Sequence, residues 1–233
     1  MTFEHYYDKH WLSLGPYFAH HRKRFLQTWH LLARRHTSNT GHVLDVGGVG
    51  PIAAYLATLG WTATESKQDL RGPLSFADDQ FDLILCTETI EHIKDKESDQ
   101  IADLEAFNYS GVKNMLRELS RTLRPDGLLL VTTPNACSFL TLSKWLHGQP
   151  LLMDPGHLRE FSESELDQVA RDSGLVPVFT TVVDSWEPDP ILSKKDVLHS
   201  LVRLSKDFES VNHGDNIIAF FSKSPQRPAI RNP

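Results

Sequence analysis

Glu88, Glu91 and His92 stand at positions i, i+3 and i+4 in Thr87-Glu88-Thr89-Ile90-Glu91-His92. If the chain turns into a helix after Cys86, these side chains share one face, and two carboxylates converge with an imidazole. His157, in Gly156-His157-Leu158-Arg159-Glu160-Phe161, lies on a later loop that can return to the same mouth. Such groups suit proton abstraction from a hydroxyl, with His92 or His157 as base. The plainer alternative is that Glu91 and His92 bond to each other and hold a turn. A second stretch, Val43-Leu44-Asp45-Val46-Gly47-Gly48-Val49-Gly50-Pro51, reads as an apolar strand, a glycine turn and a helix opened by proline. That order brings backbone N–H groups close to a ligand, and glycine leaves no Cβ in the way. It points to a nucleotide-like cofactor, although glycine turns also serve as plain connections.

The elements that must hold these groups follow from the apolar pattern. Strands are expected at 42–46, 61–64, 81–86, 128–133, 176–183 and 216–222, the last two pairing antiparallel. Helices are expected at 17–36, 51–59, 110–123 and from Ser162 to about Asp172, the last opened by the capping box Ser162-Glu163-Ser164-Glu165 with Phe161 and Leu166 as its staple. Between Glu65 and Asp69-Leu70 there is no room for a full crossover helix. Phe18, Phe25, Trp29 and Leu32 place the 17–36 helix on the domain edge, with Arg22, Lys23 and Arg24 around them. The functional alternative is a cap with Tyr7 or Trp11 reaching into the site. Residues 94–106 read as a solvated acidic loop.

Bulk composition narrows the class. With 40% hydrophobic and 23% charged residues over 233 positions, one soluble α/β domain is expected. The net charge of -6 argues against a nucleic-acid surface. No apolar run suits a membrane span, and two cysteines, Cys86 and Cys137, are too few for a disulfide framework, so a reducing cytoplasm is expected. Cys86 reads as a buried thiol. His5, His10, His20 and His21 need no special role.

Strand, glycine turn, helix, shortened second unit, Phe81-Asp82-Leu83-Ile84-Leu85, a long helix, Arg124-Pro125-Asp126-Gly127 and a strand ending Thr132-Thr133-Pro134-Asn135: this order resembles the class I S-adenosylmethionine-dependent methyltransferases. The resemblance covers roughly 40–183 and the strand at 216–222. It implies a Rossmann-like, seven-stranded, mostly parallel sheet with helices on both faces and an antiparallel last strand. The domain spans 1–224, with a helical cap at 1–40 and a helical insertion at 184–214, and 225–233 is a disordered tail. It implies S-adenosyl-L-methionine as cofactor, held by Asp45, Gly47, Gly48 and Gly50 of the first motif. Glu65 would take the ribose hydroxyls, Asp69 and Leu70 border adenine, and Thr87 and Glu88 pass under the cofactor. The sequence departs from the alternating-glycine motif, with Val49 and Pro51 at the second and third alternating positions.

The acceptor is expected to be a small-molecule hydroxyl, because Thr133-Pro134-Asn135 replaces the Asn/Asp-Pro-Pro-Tyr signature of many nucleobase methyltransferases. The Glu88-x-x-Glu91-His92 pattern with His157 resembles the ubiquinone-pathway O-methyltransferases and the small-RNA 2′-O-methyltransferases, whose matching residues are associated with a divalent metal. That assigns Glu88, Glu91, His92 and His157 as metal ligands, and mixed oxygen and imidazole donors favour manganese, iron or cobalt. A metal-free histidine base is preferred over the metal. Arg159 could pair an acceptor anion, or form an ion pair with Glu160 or Glu163. An N-methyltransferase acting on a small amine and a non-catalytic cofactor-binding module are the alternatives.

Overall fold

Apolar runs ended by glycine and proline turns build a single sheet. The computed structural model describes residues 1–36, 38–95, 109–185 and 212–223. Its strands are β1 (His42–Val46), β2 (Thr62–Ser66), β3 (Phe81–Thr87), β4 (Leu123–Pro134), β5 (Val176–Val183) and β6 (Asn216–Ser222), in the order β2-β1-β3-β4-β6-β5. β2, β1, β3 and β4 run parallel, and β6 lies antiparallel between β4 and β5. The expected antiparallel pairing of the two late strands is therefore present. The seventh strand is not: six strands form among the described residues. Residues 67–80 instead hold turns, with Leu70 and Leu74 dipping into the core. These turns carry the chain from β2 past β1 to the parallel β3 without adding a strand, and β2 is the sheet edge.

The two faces of the sheet carry separate apolar layers. One packs β3 and β4 residues against α5 (Ser110–Thr122) and α7 (Glu163–Asp172). The other packs them against α1 (Phe3–His10), α3 (Arg22–Arg35) and α4 (Pro51–Thr58). Phe220 faces the second layer and Phe221 the first, so β6 is buried on both sides, as its continuous apolar run requires. Phe3, Trp29 and Tyr55 meet with ring centroids 5.0–5.3 Å apart and fasten the N-terminal helices to α4.

The helix expected at 17–36 is split into α2 (Pro16–His20) and α3, with His21 leaving helical geometry at the break. Tyr7 does not reach the site. It is fully buried, and its hydroxyl donates to the Phe18 carbonyl at 2.7 Å. Trp11 packs edge-on against Phe18. Helix α6 (Phe139–Leu146) has no counterpart in the sequence expectations. Most of 94–106, most of 184–214 and the tail at 225–233 lie outside the described residues.

The stretch between β4 and α7 is pinned at its base. Asn135 and Phe161 form a parallel bridge, and the Ala136 N–H donates to the Phe161 carbonyl at 2.9 Å. Ser162 then opens α7 with both halves of the expected capping box, and Phe161 and Leu166 are buried. Ser162→Ala is expected to lower the unfolding free energy by about 1 kcal/mol, read from the urea midpoint at an unchanged slope.

Candidate active site

The glycine turn after β1 is a trough. Gly47 (φ +97°) and Gly48 (φ +138°) both occupy conformations that side chains rarely adopt. A Cβ on Gly47 would sit 3.7 Å from Thr89 Oγ1, and one on Gly48 3.9 Å from Glu65 Oε2. Thr89 and Glu65 thus flank the two side-chain-free residues of the turn, while Val49, before Gly50, is exposed. Gly50 closes the turn by donating its N–H to Asp45 Oδ2 at 2.8 Å, just before Pro51 starts α4. Glu65 is exposed at the rim and pairs with Lys67 at 2.9 Å. The Gly47 N–H is taken by the Ser66 carbonyl at 3.1 Å, so it is the open trough and the Glu65 carboxylate that fit an adenosyl cofactor with vicinal hydroxyls. Asp69 lies further along that edge and folds back on Arg71, while the Leu70 side chain belongs to the core.

The chain leaves β3 through Thr87 into Glu88, a non-glycine residue at φ +49°. Four contacts hold Glu88 there. Its Oε1 accepts from Thr132 Oγ1 (2.8 Å) and Asn216 Nδ2 (3.0 Å), its Oε2 pairs with Arg24 Nη1 (3.1 Å), and its N–H donates to the Thr132 carbonyl (2.9 Å). Arg24 is 4% exposed, against the expectation that it flanks the apolar face from outside.

Residues 90–92 form one tight helical turn in place of an α-helix. It still brings Glu91 and His92 to one place, and the 135–161 excursion returns His157 to them. The His92 and His157 ring centroids are 4.8 Å apart. The return is secured by the Leu158 N–H donating to the Glu91 carbonyl at 2.9 Å. One donor atom from each of Glu91, His92 and His157 lies within 4.8 Å of the others. Glu88 is not in this set, because its carboxylate is spent on Arg24, Thr132 and Asn216; that corrects the expected four-residue ligand group. His92 Nδ1 faces the Gly156 carbonyl (3.0 Å), and His157 Nδ1 faces Glu160 Oε1 (2.8 Å). Both partners accept, so in the neutral rings the protons sit on Nδ1 and the Nε2 lone pairs remain. Glu91 is fully buried; Thr133 Oγ1 donates to its Oε2 at 3.0 Å, and its Oε1 has no partner among the described residues. Two imidazoles fixed through Nδ1, beside an orphaned carboxylate oxygen, fit a divalent cation.

Above these residues lies a cavity of about 380 Å³. Its floor is Glu88, Glu91 and His92, Met153, Asp154 and His157 close one side, and Tyr17, His20, His21 and Arg24 close the other. That last wall, including two histidines given no role above, was missed from the sequence. The available signal was polar, not apolar: Tyr17, His21 and Arg24 recur at i, i+4 and i+7 beneath the Phe18/Phe25 stripe. Arg159 is not among the residues that line the cavity; it pairs with Asp95, which is neither of the partners expected, and lies over the Tyr109 ring at 4.6 Å.

Burial, reinforced by the Glu88 carboxylate, holds Glu91 well above the ordinary carboxylate range. Burial likewise pushes Asp45 up to about 7, opposed by the Gly50 N–H. A carboxyl whose native pKa is raised stabilises the fold in its protonated form. That contribution is full below about pH 4 and is lost as pH rises through 7. Asp45→Asn should therefore gain stability relative to the parent between pH 5 and pH 8, on the order of 1–3 kcal/mol, in paired thermal melts. Glu88→Ala leaves the Arg24 charge buried without its carboxylate and should cost about 3 kcal/mol, read by denaturant unfolding.

The pattern that defines the methyltransferase-domain family matches residues 18–178. An uncharacterized methyltransferase of Bacillus subtilis, YcgJ, is 32% identical over 99 residues, covering 42% of this chain and 33% of that one. The match thus spans about a third of its relative's length. Among solved structures, a methyltransferase of Thermotoga maritima, described as a possible histamine N-methyltransferase, superposes with a TM-score of 0.53 at 18% identity, covering 96% of this chain and all of that one. A putative methyltransferase of Haloferax volcanii, solved with its Trm112 activator, gives 0.52 at 14% identity, covering 97% and 99%. These likenesses establish the fold, and the family match over most of the sequence establishes the rest: the chain belongs to the class I S-adenosylmethionine-dependent methyltransferase family.

Proposed function

We propose that this protein transfers a methyl group from S-adenosylmethionine to a hydroxyl oxygen of a small acceptor held in the 380 Å³ cavity. The observation that carries this reading is the pair of imidazoles, His92 and His157, whose Nε2 lone pairs stand beside the end of β3. Bound cofactor supplies an electrophilic methyl on a sulfonium. The chain's part is to hold the acceptor in line, exclude water and take the hydroxyl proton. His157 would take that proton on Nε2, a role supported by Glu160 on Nδ1, which would stabilise the cationic ring that results. Glu65 and the Gly47-Gly48 turn would hold the cofactor, with Asp45 and Gly50 shaping the turn. The acidic balance of the chain supports a small acceptor over a nucleic acid.

A second reading rests on the Glu91–His92–His157 cluster. These residues would hold a divalent cation, which lowers the pKa of a hydroxyl brought to it. Calorimetric titration with S-adenosylmethionine and S-adenosylhomocysteine, on protein stripped of metal and again with manganese added, tests both readings. Micromolar binding is expected, and its absence in folded protein would leave only the binding-module alternative. Once a hydroxyl acceptor is found by screening, His157→Ala should cut kcat at least 100-fold. Activity that survives chelation supports the base, and activity restored only by manganese supports the cation. Methylation of amines that survives His92→Ala and His157→Ala would instead mark an N-methyltransferase.

A further inference from the structure

The Arg24 guanidinium sets the hydrogen-bond polarity of one cavity wall. A guanidinium only donates. Arg24 Nη2 lies 2.9 Å from Tyr17 Oη, and Arg24 Nη1 lies 3.2 Å from His21 Nδ1 and 3.1 Å from Glu88 Oε2. Tyr17 Oη therefore accepts, and its own O–H remains to donate elsewhere. His21 Nδ1 also accepts, which puts the ring proton on Nε2. Burial, with Arg24 beside it, lowers His21 to about 4, so the ring is neutral at physiological pH. Tyr17 lines the same cavity as His92 and His157, which present lone pairs. The cavity thus offers the Tyr17 donor as well as the two imidazole acceptors. A lone hydroxyl satisfies only the imidazoles.

We propose that Tyr17 is a specificity-determining hydrogen-bond donor, and that the acceptor carries a carbonyl or ether oxygen near the hydroxyl that is methylated. This rests on the methyltransferase reading above. An uncharged oxygen fits better than a carboxylate for two reasons. The Arg24 charge is already met by Glu88, and Asp154 adds negative charge to the cavity lining. Tyr17 is half exposed, so with an analogue lacking the oxygen its O–H turns to water, and the discrimination is that of a net hydrogen bond, about tenfold in affinity.

Two measurements test this. The first needs no acceptor. Long-range ¹H–¹⁵N correlation of the histidine side chains should show His21 as the Nε2–H tautomer at pH 7, with that preference relaxed in Arg24→Met. An Nδ1–H or charged His21 in the parent protein would overturn the arrangement. The second compares binding of 2- and 3-methoxyphenol with the similarly shaped 2- and 3-ethylphenol, on protein saturated with S-adenosylhomocysteine. At least one methoxy compound should bind about tenfold tighter than its ethyl counterpart, and Tyr17→Phe should abolish the difference while leaving cofactor affinity unchanged. Equal affinities, a preference that survives Tyr17→Phe, or no binding by any of the four would overturn the proposal. Failure to bind the cofactor at all would instead sink the parent reading, so the two failures are separable.

Discussion

The arrangement of this site depends on one buried ion pair. Arg24 comes from the N-terminal helices and Glu88 from the crossing loop after β3, and they meet where almost no water remains. Burying the two charges is costly, and their mutual attraction offsets it only with good geometry and further hydrogen bonds. Those are present. Thr132 on β4 and Asn216 on β6 complete Glu88, and Tyr17 and His21 surround Arg24. Three separate parts of the chain thus converge on one carboxylate. The left-handed backbone at Glu88 persists because those contacts over-determine it.

The pair also divides labour within the cleft. On one side, the Gly47-Gly48 trough is built by backbone alone and suits a ligand common to the family. On the other, the cavity is walled by side chains from α2, α3 and the 135–161 excursion. Side chains on loops and short helices are where specificity is most readily altered. The chemistry at the junction, two imidazoles and a buried carboxylate, is drawn from both sides.

Much of the framework was legible in the sequence because it rests on local rules. The apolar runs, the Pro51 helix start, the capping box at Ser162 and the antiparallel late strands all announce themselves within a few residues. The return of His157 to Glu91 and His92 was foreseen as well. The missing seventh strand was legible in part, since there is no room for a full crossover helix between Glu65 and Asp69-Leu70, but the family resemblance pointed the other way. Arg24 was the main failure. A charged residue flanking an apolar stripe normally faces water, and only a partner 64 positions away, Glu88, turns it inward. Glu88 was misjudged for the same reason. Its spacing from Glu91 and His92 suggested a common ligand set, whereas its actual partners come from β4, β6 and α3.

The placement of β6 bears on how the molecule is made. Asn216–Ser222 follows the five other strands among the described residues yet lies inside the sheet, between β4 and β5. Until that segment is available, β4 and β5 both present open edges, and the contacts between them cannot form. Such long-range pairing slows folding and prolongs the exposure of unpaired strands. Asn216 also supplies one of the bonds that fix Glu88. A nascent chain that has already emerged through α7 therefore holds almost every residue of the cleft, yet lacks the strand that sets their geometry. Chaperone demand during synthesis should be concentrated in that interval.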